Sequence, residues 1–148
     1  MISKFLDEDV IELDVNVENW EEAVKKAGEL LVKKGLVQKE YVQAMINTVK
    51  EMGAYIVISE GIAMPHGRPE DGVNAVGVSL ITLKTPVEFG NKEYDPVKVV
   101  ICLCAKNHES HIELLKNLMV VLEDDEFVKK IDLCKSKKDI IDLLERYK

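Results

Sequence analysis

The chain has few of the features that mark membrane, exported or nucleic-acid-binding proteins. The 148 residues include a single Trp. There are 20 Lys and Arg residues and 27 Asp and Glu residues, which gives a formal net charge of −7. An acidic chain lacks the basic surface that phosphate backbones require. No apolar run approaches the roughly 20 residues that span a bilayer, and residues 1–9 lack the apolar segment of a signal peptide. We therefore predict a cytoplasmic protein without a nucleic-acid partner and without membrane insertion.

Cysteine is scarce as well. The chain has three cysteines, an odd number, and we find no export signal in it. Both observations indicate free thiols rather than a disulfide framework. Cys102 and Cys104 lie in the apolar run 99–105. A C-x-C pair without further well-spaced cysteine or histidine partners is a weak metal signal. We interpret both thiols as core residues.

The composition is that of a folded globular protein. Hydrophobic residues make up 47% of the chain and charged residues 32%, a balance that disordered segments do not have. The length suits one core, and no repeat or linker interrupts the sequence. We expect a single domain over residues 1–148, with helices around a mostly buried sheet.

Periodicity predicts the order of the secondary-structure elements. Apolar or alternating runs indicate strands at 10–15, at the sheet edge, and at 55–59, 73–83 and 97–105, with a turn and a short extended segment over 84–91. Asn19 is the predicted N-cap of a helix ending near Gly35, and a second helix runs from about 39 to Gly53. We assign this helix pair a packing role and no chemistry. Short helices follow residues 124–126 and Ser136.

A loop of unusual composition separates two of the predicted strands. Residues 61–72 contain three glycines, two prolines, one histidine and one arginine. Glycine and proline together favour a stiff, shaped loop, with His66 at its centre. Loops carried by a rigid sheet often hold functional residues, although His66 could equally be a polar turn residue.

A second informative stretch surrounds His111. Ser110 and Glu113 fit a capping box, which predicts that a helix begins at His111. Its apolar stripe is Leu114, Leu115, Leu118, Met119 and Leu122. His111 falls on that stripe near the positive end of the helix dipole, where an anion is favoured. It could also cap its own helix or fill the core edge, and His108 is interpreted as a solvated loop residue.

Three classes of function can be weighed on these residues. A metal hydrolase would need His66, His108 and His111 as ligands, but their spacing is not that of a zinc site. A nucleophilic hydrolase would need a G-x-S-x-G elbow, which is absent. A phosphoryl carrier needs an exposed neutral imidazole and donors for the phosphoryl oxygens. His66, Arg68, the glycine N–H groups and a second histidine meet those needs.

The sequence around His66 also carries a family resemblance. Residues 55–66 (YIVISEGIAMPH) followed by 68–73 (RPEDGV) resemble the enzyme IIA domains of the bacterial phosphoenolpyruvate-dependent sugar phosphotransferase system, in the type 2 mannitol/fructose superfamily. The resemblance covers nearly the whole chain and is closest to the ascorbate branch. Further matching segments are 20–23, 27–31, 41, 44–46, 95–100, 110–111 and 113–115. Glu60 and Gly67 depart from that branch, which usually has proline and alanine there.

The resemblance implies a function and a fold. His66 would accept a phosphoryl group from phosphohistidine HPr, on Nε2, and pass it to a cysteine of enzyme IIB, which serves the membrane permease enzyme IIC. His111 would be the second active-site histidine, and it would bind the phosphoryl group or His66. Arg68 would either neutralise the phosphate or brace the loop by pairing with Glu70 or a carbonyl.

The implied fold is an α/β mixed central sheet flanked by helices on both faces, and no metal or organic cofactor is implied. The expected pathway is uptake of ascorbate or a related carbohydrate. The alternative is a regulatory module that reports its phosphorylation state by binding other proteins.

Overall fold

The architecture is a five-stranded mixed β-sheet with helices on both faces. The computed structural model describes residues 2–147. The strands are β1 (Ile11–Val15), β2 (Val57–Ser59), β3 (Ile62–Ala63), β4 (Gly77–Val87) and β5 (Val97–Cys104). Their spatial order is β1-β4-β5-β3-β2; β1 pairs parallel with β4 and β3 with β5, and the other two pairings are antiparallel. The predicted fold class, including an edge position for the first strand, is confirmed.

The centre of the sheet is formed by β4 and β5. Their antiparallel pairing begins at Gly77 opposite Cys104 and reaches Val87 opposite Val97 after an irregularity. Both faces of the two strands are covered over most of their length, which explains their nearly continuous apolar sequences. Cys102 and Cys104 are buried in β5 with free thiols, as predicted.

Two predicted strand boundaries are wrong around β4. The strand begins at Gly77 rather than at residue 73, because the preceding backbone pairs with another segment: Asn74 N and Ala75 N donate to the Leu36 carbonyl. The strand also continues through the predicted turn at 84 to Val87. Lys84, Thr85 and Pro86 are exposed there, so the end of the strand carries no apolar signal.

The segment before His66 is more ordered than predicted. The expected strand 55–59 is shortened to β2, and residues placed in a loop form β3, a two-residue strand between β2 and β5. The carbonyl of Gly61 accepts from Lys98 N and Val99 N, which fixes β3 against the start of β5. Such a short strand has no periodicity of its own.

One face of the sheet is covered by α1 (Trp20–Lys33) and α2 (Lys39–Met52). The predicted cap is confirmed, because the Asn19 side chain accepts from Glu22 N at 2.9 Å. The buried side chains of α2 are Tyr41, Met45, Ile46 and Val49. This spacing is the inward face of a helix, and it begins with a tyrosine.

The other face is covered by α3 (His108–Leu122), α4 (Phe127–Asp132) and α5 (Lys137–Leu144), the last capped by Ser136 as predicted. The predicted start of α3 is wrong by one turn. Asn107 is the N-cap: its side chain accepts from Ser110 N, and the Ser110 hydroxyl accepts from Asn107 N. His108, expected in a loop, is the exposed first residue of the helix.

The buried face of α3 also differs from the predicted stripe. Leu114, Leu118 and Val121 are buried, whereas Met119 is 53% exposed. A spacing of 114, 118 and 121 follows one face of the helix, and residue 119 lies about 100° away from residue 118 around the axis. None of the helices within residues 2–147 is both long and apolar enough to cross a bilayer.

Candidate active site

His66 lies just beyond β3, in backbone that still follows the sheet. It forms an isolated parallel bridge with Leu103 of β5, and Leu103 N donates to the Pro65 carbonyl at 3.1 Å. Met64 and Pro65 are buried, whereas His66 is half-buried. Sheet pairing therefore extends as far as His66, and it constrains the part of the predicted loop that precedes the histidine.

The orientation of the His66 ring is fixed by its own backbone. Nδ1 lies 3.0 Å from the carbonyl oxygen of Met64. Because a carbonyl oxygen can only accept, Nδ1 carries the proton of the neutral ring, and the lone pair is on Nε2. The arrangement provides one unprotonated imidazole nitrogen in a constrained ring.

A buried tyrosine holds the peptide that follows His66. The Tyr41 hydroxyl accepts from Gly67 N at 2.8 Å and donates to the Leu103 carbonyl at 2.6 Å. Burial raises the pKa of Tyr41 above its ordinary value of 10.0, so the hydroxyl keeps the proton that it donates. A Cβ on residue 67 would lie 2.9 Å from Cε1 of Tyr41, so glycine permits the close approach of the ring.

The loop N–H groups are not arranged as the sequence suggested. We expected the glycine N–H groups to face a phosphoryl group, but Gly67 N donates to Tyr41, Gly61 N to the Tyr94 carbonyl and Gly72 N to the Pro69 carbonyl. These donors instead shape the loop. These three glycine N–H groups are therefore not free to donate to a phosphoryl group.

His111, in the first turn of α3, lies beside His66. The ring centroids are 5.3 Å apart, with a 47° angle between the planes. Partial burial, followed by the proximity of His66 and His108, lowers the pKa of His111 below its ordinary value of 6.5. This lowered pKa favours the neutral His111 ring, which can donate one hydrogen bond to an anion.

Arg68 is paired within the loop, with a partner that the sequence analysis did not name. A 3₁₀ turn over Pro69–Asp71 brings the Asp71 carboxylate back to the Arg68 backbone N–H at 2.8 Å and to Nη2 at 3.3 Å. Glu70, the expected partner, lies 4.0 Å from Nη1. Burial alone would raise the pKa of Asp71, but hydrogen bonds and charge from Arg68 outweigh it and lower that pKa. The Arg68 side chain itself is 74% exposed.

His66 and Arg68 line an open groove of about 500 Å³ that α2 completes. The α2 side of the groove includes Asn47, Thr48 and Met52, and Tyr55 stands edge-on to the His66 ring at 6.3 Å between centroids. The sequence analysis gave α2 only a packing role, and the structure places it alongside the site.

The contribution of Tyr41 could have been found in the sequence. It lies four residues before Met45 on the buried stripe of α2, and a buried tyrosine hydroxyl requires a hydrogen-bond partner. That pattern predicts a buried polar contact, although not with which segment. Asp71 carries no such signal, because its role depends on the 3₁₀ turn. Residues 2–147 contain no group of three or more His, Cys, Asp or Glu side chains that could together hold a metal ion.

Comparison with known proteins connects this geometry to a family. Residues 4–147 match the family described as "Phosphoenolpyruvate-dependent sugar phosphotransferase system, EIIA 2". The chain is 39% identical over 137 residues to the ascorbate-specific PTS system EIIA component of Escherichia coli (strain K12). This alignment covers 92% of the chain and 89% of that relative.

Solved structures agree with both the family and the fold. The mannitol-specific cryptic phosphotransferase enzyme IIA CmtB of Escherichia coli is 32% identical, with a TM-score of 0.88 and 98% of each chain covered. Enzyme IIA of the mannitol system, in a complex with phosphorylated enzyme IIB from Escherichia coli, is 35% identical, with a TM-score of 0.83 and 95% of this chain and 97% of that chain covered. The chain therefore belongs to the type 2 enzyme IIA family, the phosphotransferase components of the phosphoenolpyruvate-dependent sugar phosphotransferase system.

Proposed function

We propose that this chain carries the phosphoryl group on Nε2 of His66, accepting it from phosphohistidine HPr and passing it to a cysteine of enzyme IIB. Enzyme IIB would serve the membrane permease enzyme IIC, and the transfer would take place in the cytoplasm. The observation that carries the assignment is the 3.0 Å contact between His66 Nδ1 and the Met64 carbonyl. It leaves Nε2 as the nitrogen with a free lone pair, which is the requirement for a nucleophile.

The same contact assists the chemistry. When Nε2 attacks phosphorus, the Nε2–P bond forms while the P–N bond of the donor breaks, and its electron pair stays on the donor imidazole. Positive charge then develops on the His66 ring. The Met64 carbonyl dipole stabilises that charge through Nδ1–H without having to reorient. In the onward step a cysteine thiolate attacks phosphorus, and the electron pair of the Nε2–P bond returns to Nε2.

His111 and Arg68 take different roles in this proposal. A neutral His111 ring, 5.3 Å from His66 between centroids, donates a hydrogen bond to a phosphoryl oxygen. Arg68 braces the loop through Asp71, with its charge acting on the phosphoryl group from the rim of the groove. The proposal includes no cofactor, and it assigns the positioning and electrostatic stabilisation that phosphoryl transfer requires to these side chains.

The comparisons support a transport role and suggest its substrate. A relative that is 39% identical is named as ascorbate-specific, so uptake of ascorbate or a related carbohydrate is the proposed pathway. The complex of a 35% identical enzyme IIA with phosphorylated enzyme IIB supports enzyme IIB as the acceptor. The regulatory alternative is not favoured, because these relatives are transport components.

Intact-mass spectrometry tests the assignment. The wild type is incubated with phosphoenolpyruvate, enzyme I and HPr at neutral to alkaline pH, beside His66→Ala and the matched control His108→Ala. We expect one acid-labile phosphoryl group on the wild type and on His108→Ala, and none on His66→Ala. Full phosphorylation of His66→Ala would refute the assignment. Adding enzyme IIB proteins of the ascorbate and mannitol types then identifies the acceptor that discharges the phosphoprotein faster.

A further inference from the structure

The tyrosine beneath the His66 loop completes the sheet at the point where the histidine must be held. In a parallel bridge between His66 and Leu103, Leu103 N donates to the Pro65 carbonyl, and the second rung would join Gly67 N to the Leu103 carbonyl. The Tyr41 hydroxyl lies in that second rung: it accepts from Gly67 N at 2.8 Å and donates to Leu103 O at 2.6 Å. A side chain of α2 therefore relays a backbone hydrogen bond of the sheet.

This relay differs from an ordinary buried hydrogen bond in what it connects. It joins α2 and β5 to Gly67, the residue that follows the proposed nucleophile. Tyr41 is fully buried and touches no solvent, so it cannot contact a donor or acceptor protein. Its effect on phosphoryl transfer must therefore pass through the position of the His66 backbone.

We propose, building on the proposed function of His66, that Tyr41 is a positioning residue whose hydroxyl relay holds the His66 ring in the orientation that keeps Nδ1 on the Met64 carbonyl and Nε2 available. The Met64 carbonyl and the Gly67 N–H flank His66 on either side. With both fixed, the ring has little freedom to turn its lone pair inward. Without the hydroxyl, Gly67 N and Leu103 O lose their partner, and the backbone after His66 is released from the sheet.

The test compares two identical substitutions in the full chain. Tyr41→Phe removes the relay, whereas Tyr147→Phe removes a hydroxyl that donates to Asp124 at 2.6 Å, 23 residues away in sequence and outside the groove. Phosphorylation by phospho-HPr is followed by rapid quench over a range of HPr concentrations. For Tyr41→Phe we expect kcat to fall about tenfold to a hundredfold because the nucleophile is misplaced, with KM for phospho-HPr unchanged. An unchanged kcat, or a fall that Tyr147→Phe reproduces, would overturn the proposal.

Two spectroscopic measurements do not depend on phosphorylation. In the wild type the ring nitrogens of His66 should show the Nδ1–H tautomer, and in Tyr41→Phe that fraction should fall. The Gly67 amide of the wild type should exchange with solvent as slowly as the amides of β5, although it lies in a loop. Fast exchange of Gly67 would overturn the proposal even if Tyr41→Phe failed to fold. If the wild type gained no phosphoryl group, the assignment of His66 would fail, while these measurements would still decide the relay.

Discussion

The two imidazoles of the site, on His66 and His111, are held in contrasting ways. His66 is fixed on both sides by backbone contacts, with Nδ1 on the Met64 carbonyl and the next peptide on Tyr41. The His111 ring forms no hydrogen bond with any part of the chain between residues 2 and 147, and it is held by its helix and by packing beside His66. A fixed lone pair is already oriented for attack on phosphorus, whereas the His111 ring can reorient when a phosphoryl group is present. In the proposed mechanism the reacting group is therefore rigid and the assisting group is adjustable.

The largest effect is expected from replacing the fixed imidazole. His66→Gln keeps a polar side chain of similar length but has no nitrogen lone pair that can form a stable bond to phosphorus. We expect phosphorylation below detection by intact mass, with the thermal unfolding temperature close to that of the wild type because His66 is half-buried. Residual phosphoprotein in His66→Gln would mean that another residue is the nucleophile.

Replacing the adjustable imidazole should slow transfer without abolishing it. His111→Ala removes one donor to the phosphoryl oxygens. A preorganised donor contributes about 10²–10³ in rate, and we expect a smaller loss here because no hydrogen bond fixes the His111 ring. His111→Gln retains an N–H donor on a flexible side chain and should recover part of that loss. Rapid-quench rates for the two variants measure the difference. Equal rates for both would show that donation by residue 111 is unimportant.

The sequence could predict those features that depend on contacts between near neighbours in the chain. The Asn19 and Ser136 caps depend on contacts within four residues, and both were predicted correctly. The start of α3 was misplaced because Ser110 fits two overlapping capping boxes, and only the backbone shows that Asn107 uses it.

Long-range contacts escaped prediction for a different reason. The strand β3 has two residues and pairs with both β2 and β5, and its partners in β5 lie more than 30 positions later in the chain. The relay from Tyr41 to Gly67 joins residues 26 positions apart. Periodicity indicated that His111 faces inward, but its distance to His66 depends on how α3 packs on the sheet. The sequence thus indicated His66, Arg68 and His111 as candidate site residues, and the contacts that orient them could not be predicted from it.

Phosphorylation of His66 should reverse the direction in which the pKa of His111 is shifted. In the unphosphorylated protein, burial and the neighbouring imidazoles lower the pKa of His111 below 6.5, so the unfolded chain binds the proton more tightly. The free energy of unfolding therefore falls as pH drops below 6.5 at this position and is fully recovered above it. A phosphoryl dianion on His66 favours the charged ring and should raise the pKa of His111. NMR titration of the His111 ring protons with and without phosphate measures this.

The control for that titration is His66→Gln, which cannot be charged with phosphate. Its His111 titration should be the same before and after incubation with phosphoenolpyruvate, enzyme I and HPr. A pKa of His111 that stays low in the phosphoprotein would place its ring out of reach of the phosphoryl oxygens. The assisting role would then have to be reassigned.

The smallest effect is expected at the Arg68–Asp71 pair on the rim of the groove. An exposed ion pair contributes little to stability, and the side chain of Arg68 is 74% exposed. Arg68→Ala and Asp71→Asn should each slow transfer by less than about tenfold, and the double variant should be no slower than the worse single one, because both changes release the same 3₁₀ turn. Rates for the four proteins form a double-mutant cycle. If Arg68→Ala slowed transfer far more than Asp71→Asn did, the guanidinium would be a direct ligand of the phosphoryl group. Two side chains, Arg68 and His111, would then assist the transfer rather than His111 alone.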